Sequence, residues 1–520
     1  MTFANLSTPN VSLVGAGPGD PGLITVRGLE RLRQAQVVVF DALVSPELLA
    51  EAPADAELID VGKRAGHHKL TQDQINALLV EKARQGRRVV RLKGGDPYLF
   101  GRGAEEAAYL ARHGIACEIV PGVTSGIAAP AAAGFPVTHR QIASTLTFVT
   151  GHEDPTKEAT AIDYAALARL IDAGGTVCFY MGLSRLGAIA QTLIRHGLDR
   201  DMPVAVVQWG TTPRQRSVRT TLVTAADDVA RQGITAPAII LVGRVAAIDE
   251  PGLDYFTSRP LFGQTVLVTR TRQQASQLAA SLRELGAHVL EAPTIQLCPP
   301  QDWTAVDAAL REVKSYDWLI LTSVNGVSAV AERLAALELD ARHLAGVKVA
   351  AVGEATAEAV QRDLGIRPDL VPTRFVGESL AGELIARHDV KGRRMLLLRA
   401  DIARPALPRM LCEAGAEVVE CTAYATKIAD ALPEAVLDAL RQGEVDWVTF
   451  TSASTARNLA TLLGDEADLL RKVKIASIGP ITSDAVRELG LQVTIESAKS
   501  DVPSLVQTIV QAVRTTPSQR

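Results

Sequence analysis

The second half of the chain aligns with itself, and this limits its fold more than any other feature. "TVLVTR" (265–270) matches "RMLLLR" (394–399), "WLILTSVNGVSAVAERL" (318–334) matches "WVTFTSASTARNLATLL" (447–463), and "VKVAAVGEATAEAV" (347–360) matches "VKIASIGPITSDAV" (473–486). The offsets of 129, 129 and 126 residues keep both order and spacing, so the sequence predicts an internal duplication into two similar α/β units of about 125 residues each. Paired units of this kind often take a ligand in the cleft between them.

The first half reads as a separate α/β body. "GRRVVRL", "GTVCFYMG", "MPVAVVQWG" and "APAIILVGRV" are apolar runs of strand length, ended by Gly or Pro and separated by Ala- and Leu-rich helical stretches. After Val245 the stretch "AAIDEPGLDYFTSRPLFG" has no period, which sets a linker at 247–262 between domains 1–246 and 263–516. At 520 residues, more than one core is expected.

Near the N-terminus, Val11 to Val14 predicts a buried strand. Gly22 to Gln34 predicts a helix from the spacing of Leu23, Val26, Leu29 and Leu32. Between them lies Gly15-Ala-Gly-Pro-Gly-Asp20. Its glycines at 15, 17 and 19 miss the G-x-G-x-x-G spacing, and Pro18 removes an N–H donor. Such a loop is a poor phosphate nest, though it can still accommodate a neutral or cationic adenosyl ligand.

The net charge of −4 gives no general affinity for nucleic acid, so an anionic substrate must be met by local Arg and Lys. The five cysteines, at 117, 178, 298, 412 and 421, form neither a C-x-x-C pair nor a disulfide framework. "MTFANLSTPN" has no signal pattern and no apolar run reaches about 18 residues. A cytoplasmic protein without a membrane span and without a metal is expected, and the adjacent His67 and His68 are poorly placed to chelate.

Several polar stretches interrupt the apolar pattern of the first half: "FDALVS" (40–45), "VGKRAGHHKLTQDQIN" (61–76), "RLKGGDPYLFGRGAEE" (91–106), "PGVTSGIAAPAAAGFPVTHR" (121–140), "FVTGH" (148–152) and "FYMG" (179–182). Taken singly, each has a plain structural reading. Gly94-Gly95-Asp96-Pro97 is a turn that also lets a ligand approach the backbone. Asp41 is an acid ending a strand, and 63–69 is a solvated basic loop.

Together and in order, with "LVGAGPGDPGLIT" before them and "PAIILVGRV" after, these stretches resemble the uroporphyrinogen-III C-methyltransferases of the tetrapyrrole methylase family over about 240 residues. The resemblance implies a fold of two α/β subdomains and S-adenosyl-L-methionine as cofactor. The implied contacts are Pro18, Gly94, Gly95, Asp96, Leu99, Thr124, Ser125, Met181 and Gly210. It also implies Asp41 as proton acceptor, Lys63 as proton donor, and a homodimer through this half. From charge and location, Lys63, Arg64, Arg102 and Arg140 are candidate partners for substrate carboxylates.

Residues 263–516 resemble uroporphyrinogen-III synthase through "VLVTR", "LTSVNGV", "AVGEATAEAV", "LLLRAD", "CTAYAT", "FTSAST" and "SIGPITSDAV". The implied plan is two α/β subdomains joined by a two-stranded link at "EAPTIQL" (291–297) and "ECTAYAT" (420–426), the first subdomain drawing on both ends of this half. Tyr424 matches the family's active-site tyrosine. Ser323, Asn325, Thr451, Ser452 and Ser454 would offer donors to substrate carboxylates, and Arg270 and Arg399 would offer charge. For each Ser and Thr, helix capping after a strand is at least as strong a reading, and the two roles can coexist at a helix N-terminus.

The expected whole is a bifunctional enzyme of siroheme and cobalamin biosynthesis acting on small tetrapyrroles. The alternative is a methylase of a later corrin intermediate with a noncatalytic tetrapyrrole-binding C-terminal module.

Overall fold

The computed structural model describes residues 9–62, 70–151, 161–269, 272–374, 377–402 and 405–515. The chain is mixed α/β and divides into two compact units. The first comprises Met1–Val266, Ala280–Val289 and Ile509–Arg520, and the second Leu267–Ala279 and Leu290–Thr508.

In the first unit the apolar runs form two five-stranded sheets. β1 (Val11–Gly15), β2 (Val37–Phe40), β3 (Glu57–Asp60), β4 (Val89–Lys93) and β5 (Cys117–Val120) lie in the order β3-β2-β4-β1-β5. All four pairings are parallel. β4, at the centre, and its neighbour β1 are buried at every position, as a parallel sheet covered on both faces requires. The second sheet comprises β6 (Leu146–Thr150), β7 (Thr176–Tyr180), β8 (Pro203–Gln208), β9 (Arg216–Thr221) and β10 (Ala238–Val242), in the order β6-β7-β10-β8-β9. β10 runs antiparallel to both its neighbours.

One predicted helix begins later than its pattern suggests. Residues 21–23 make a single 3-10 turn, and the α-helix runs Val26–Arg33, because the Thr25 hydroxyl accepts the Gly28 N–H at 3.1 Å and caps it there. Val26 is then 77% exposed, and Gly28 and Leu32 are the buried positions.

Two further sheets form from 265–496. β11 (Thr265–Val268), β12 (His288–Glu291), β13 (Ile295–Cys298), β14 (Trp318–Leu321), β15 (Lys348–Ala351), β16 (Arg394–Ala400), β17 (Glu417–Ile428), β18 (Trp447–Phe450), β19 (Lys474–Ser477) and β20 (Ile495–Glu496) assemble as β12-β11-β18-β19-β20 and β13-β17-β16-β14-β15. The duplication is therefore interleaved rather than laid out as two contiguous units. The repeated trio is β16-β14-β15 in one sheet and β11-β18-β19 in the other, so each sheet takes one strand from one repeat and two from its counterpart. Thr269 Oγ1 donates to the Thr449 carbonyl at 2.9 Å and Thr449 Oγ1 to that of Leu267 at 3.2 Å, fixing the exchanged strand. The chain crosses between the sheets along β13 and the long β17, which pair antiparallel from Ile295↔Ile428 to Cys298↔Ala425. This pairing lies at and just beyond the ends of the two segments expected to cross.

Back in the first unit, the loops leaving β1, β4 and β5 meet where no side chain fits. A Cβ on Gly122 would stand 2.2 Å from the Gly95 carbonyl, and one on Gly15 2.5 Å from Gly122 Cα. Gly17 and Gly95 exchange backbone hydrogen bonds of 2.7 and 3.2 Å. The Asp96 carboxylate holds the junction: Oδ1 accepts the N–H groups of Tyr98 and Leu99 at 2.8 and 3.0 Å, and Oδ2 accepts that of Gly122 at 3.0 Å. Replacing Asp96 with Ala leaves three amides without an acceptor and should destabilise the first unit by about 1–3 kcal/mol; Asp96→Asn should cost less. Chemical denaturation of both variants is the check, and wild-type stability in Asp96→Ala would refute this role.

Candidate active site

The three loops form one wall of a cavity at the C-terminal edge of the parallel sheet, the edge at which such sheets take ligands. All nine positions carried over as cofactor contacts line it: Pro18, Gly94, Gly95, Asp96, Leu99, Thr124, Ser125, Met181 and Gly210. They come from five separate stretches, and the fold brings them together.

The glycines do different work. A Cβ at Gly95, whose φ is +69°, would meet no atom within 4 Å, so the turn presents bare backbone to the cavity. Gly210 is small for packing, since a Cβ there would stand 2.2 Å from Ala129 Cβ. The Asp96 side chain is fully used by backbone amides. It shapes the wall and leaves its backbone for a ligand.

Backbone strain concentrates here. Six non-glycine residues among those described have positive φ, and four of them, Phe100, Met181, Trp209 and Thr211, line this cavity. Such conformations persist where surrounding contacts enforce them, typically at functional sites.

Tyr180 was not singled out from sequence, although it stands in "FYMG". Its buried hydroxyl accepts the Gly126 N–H at 2.7 Å and shares a 2.7 Å hydrogen bond with Thr124 Oγ1. Burial raises its ionisation above the usual range and keeps it protonated. The tyrosine thus binds a free amide in the first turn of the Ser125–Ala132 helix, where the Thr124 side chain makes no capping bond. Its ring packs against Phe100 and Phe148 at 5.0 and 5.7 Å.

Asp41 follows β2, one residue before the cavity-lining Ala42 and Leu43. It pairs with the buried Arg91 guanidinium, and its other oxygen stands 3.9 Å from Lys93 Nζ. Behind them Glu106, with no exposed surface, accepts on Oε1 from Lys93 at 2.9 Å, Gln72 at 3.1 Å and Arg91 at 3.3 Å. Its Oε2 has no partner among the described residues. Burial, followed by the Arg91 charge, pushes the Lys93 ammonium below its usual range. Adjacent apolar strands gave no sign of this network, although each member lay in a quoted motif or next to one.

The expected substrate cations are not gathered at the cavity. Arg102 is exposed and held by Glu105 at 2.7 and 2.9 Å, and neither it nor the exposed Arg140 lines the wall. Lys63 and Arg64 lie outside the described residues, as does Arg270.

In the second unit Tyr424 lies on β17, and its hydroxyl is 3.0 Å from Ser323 Oγ. Both serines after strands cap helices: Ser323 accepts the Gly326 N–H at 3.0 Å and Ser452 that of Thr455 at 3.3 Å. Asn325 sits in the first turn of the Val324–Ala336 helix. Ser454 bonds Ser452 at 3.0 Å, while Thr451 Oγ1 is buried without a partner among the described residues. Arg399 pairs with Glu420 across β16 and β17.

Residues 10–226 match the family model for tetrapyrrole (corrin/porphyrin) methylases, and residues 276–507 that for uroporphyrinogen-III synthase HemD. The chain is 38% identical to the porphyrin biosynthesis protein HemD of Ruminiclostridium josui, over 96% of this chain and 97% of that one. It is 49% identical to an S-adenosyl-L-methionine-dependent uroporphyrinogen III methyltransferase of Methanosarcina barkeri, over 46% of this chain and 93% of that one. A crystal structure of uroporphyrin-III C-methyl transferase from Thermus thermophilus, complexed with S-adenyl homocysteine, is 40% identical, with a TM-score of 0.39 over 45% of this chain and 97% of that one. The chain accordingly belongs to the family of fused proteins in which a tetrapyrrole methylase precedes a HemD-type uroporphyrinogen-III synthase.

Proposed function

We propose that the chain catalyses two consecutive steps: closure of hydroxymethylbilane to uroporphyrinogen III with inversion of ring D, then methylation of that product at C2 and C7 to precorrin-2. Residues 1–246 would carry the methylation and 263–516 the closure, with 247–262 as linker. The reading places the enzyme in the cytoplasm, on the way to siroheme and cobalamin, with the methylase half as a homodimer. The observation that supports it most is the convergence of nine cofactor positions on one cavity.

The cavity suits S-adenosyl-L-methionine rather than a nucleotide phosphate. Pro18 contributes no N–H, and the Asp96 carboxylate occupies the amides of Tyr98, Leu99 and Gly122. The Gly94-Gly95 backbone and the Pro18 loop would hold the adenosyl and amino-acid parts. When bound, the cofactor supplies an electrophilic sulfonium methyl. Its leaving group is neutral and needs no acid, so the wall residues contribute chiefly by position. Asp41, its charge balanced by Arg91 and Lys93, accepts the proton lost from the macrocycle; Lys63 returns one.

In the second unit, Tyr424 and Ser323 form a hydroxyl pair that can donate to the hydroxyl leaving hydroxymethylbilane. The unassisted substrate can close without inversion, so holding its conformation is the main task.

A coupled assay with hydroxymethylbilane and S-adenosyl-L-methionine tests the whole reading: precorrin-2 is expected, and no methylated product would refute it. Asp41→Asn should slow methylation by about 10²-fold with cofactor affinity nearly kept; a normal rate with a raised KM would make Asp41 a binding residue. Tyr424→Phe should slow closure by roughly tenfold, the scale of one hydrogen bond. Loss of all inverted isomer on removing that hydroxyl would contradict the conformational account.

A further inference from the structure

Three arginines line the cavity: Arg283 is 3.5 Å from the Glu47 carboxylate, Arg259 donates to the Phe256 and Arg283 carbonyls at 3.0 and 3.4 Å, and the exposed Arg214 has no carboxylate partner among the described residues. Its guanidinium carbon lies 4.2 Å from the centre of the Trp209 ring, so the planar group stacks on the indole with its N–H edges open to solvent. The acids that line the cavity are otherwise engaged, Glu47 by Arg283 at 3.5 Å. Asp96 is consumed by backbone amides, and Asp20 accepts the Gly22 N–H at 2.8 Å.

The segment that presents Arg214 is rigidly built. Trp209 and Thr211 both hold positive φ, at 47° and 67°. The buried Gln215 accepts the Thr211 N–H at 2.8 Å and donates to the Ala132 carbonyl at 3.1 Å, tying the segment to the Ser125–Ala132 helix. Thr211 Oγ1 accepts the Asp20 N–H at 3.2 Å, tying it to the N-terminal loop, and the Trp209 N–H donates to Pro237 at 3.1 Å. The Arg214 N–H donates to Thr212 Oγ1 at 3.3 Å. A long cation held this way on a strained, multiply anchored turn is pre-organised for a planar anion.

We infer that Arg214, stacked on Trp209, is the carboxylate-recognising residue of this cavity. The assignment rests on the proposed methylation of a polycarboxylate macrocycle with S-adenosyl-L-methionine. Two carboxylates can reach a cavity of that function: an acetate or propionate of the macrocycle, or the amino-acid carboxylate of the cofactor. The guanidinium fork takes either through two parallel N–H donors.

The test uses the full chain with Arg214→Met, which keeps apolar contact with Trp209 and removes the charge, and Arg214→Lys, which keeps charge without the planar fork. Methylation of uroporphyrinogen III gives kcat and KM, and calorimetry gives the Kd of S-adenosylhomocysteine. A macrocycle carboxylate raises KM by about tenfold in Arg214→Met with kcat and Kd unchanged, and Arg214→Lys restores part of the loss. A cofactor carboxylate raises Kd by a similar factor with the macrocycle KM unchanged. Wild-type values of both constants in Arg214→Met would overturn the inference. Absence of methylation by the unmutated protein would instead count against the reading on which it rests, and calorimetry on the two variants would still report on the residue.

Discussion

The methylase half depends on one close approach. Where β1, β4 and β5 end, Gly15 and Gly122 come so close to each other and to the Gly95 carbonyl that neither has room for a side chain, and the Asp96 carboxylate ties two of the loops together. Everything on the cavity wall is referred to that junction. The Pro18 loop leaves it on one side, the Gly94-Gly95 turn opens from it, and the Ser125–Ala132 helix starts just after it. Parallel strands deliver their C-terminal ends to one edge, so a site built there draws residues from distant parts of the chain.

Around the junction the structure retains arrangements that cost stability. Four strained non-glycine residues line the cavity, and next to its lining the half-buried Asp41 is joined to the buried Arg91, Lys93 and Glu106. Buried ion pairs rarely outperform apolar packing, because desolvation offsets their attraction. Here the cluster balances the charge of the Asp41 carboxylate, one residue before the cavity-lining Ala42. Strain and buried charge are offset by apolar packing elsewhere, from β1 and β2 and from the core of the second sheet.

Much of this was legible in sequence, for physical reasons that differ from feature to feature. Strands buried on both faces read as unbroken apolar runs, so β1, β7, β8 and β10 stood out. Ordered motifs located the cavity, because loops at strand ends carry residues chosen for a ligand rather than for packing. What stayed hidden depends on three-dimensional neighbours. Val26 fits a helical apolar pattern, yet Thr25 caps the helix so that Val26 faces out. Tyr180 reads as the last apolar residue of a strand, while its role comes from a hydroxyl aimed at a helix start. The interleaving of the duplicated strands cannot be read from the repeat itself, because equal spacing is compatible with contiguous or exchanged units. Arg214 carries no local signal apart from Trp209 five positions earlier.

The central claim is that the Gly95 turn is bare because a ligand occupies the space beside it. Gly95→Val tests this most directly when set beside Gly95→Ala. A Cβ there meets no protein atom within 4 Å, and both variants carry the strain of φ +69°. Val alone extends further into the space beside the turn, so Gly95→Ala should keep most of the affinity. Calorimetry with S-adenosylhomocysteine, with uroporphyrinogen III formation from hydroxymethylbilane as the control for an intact chain, should show cofactor binding abolished in Gly95→Val and that control activity retained. Undiminished affinity in Gly95→Val would contradict the account.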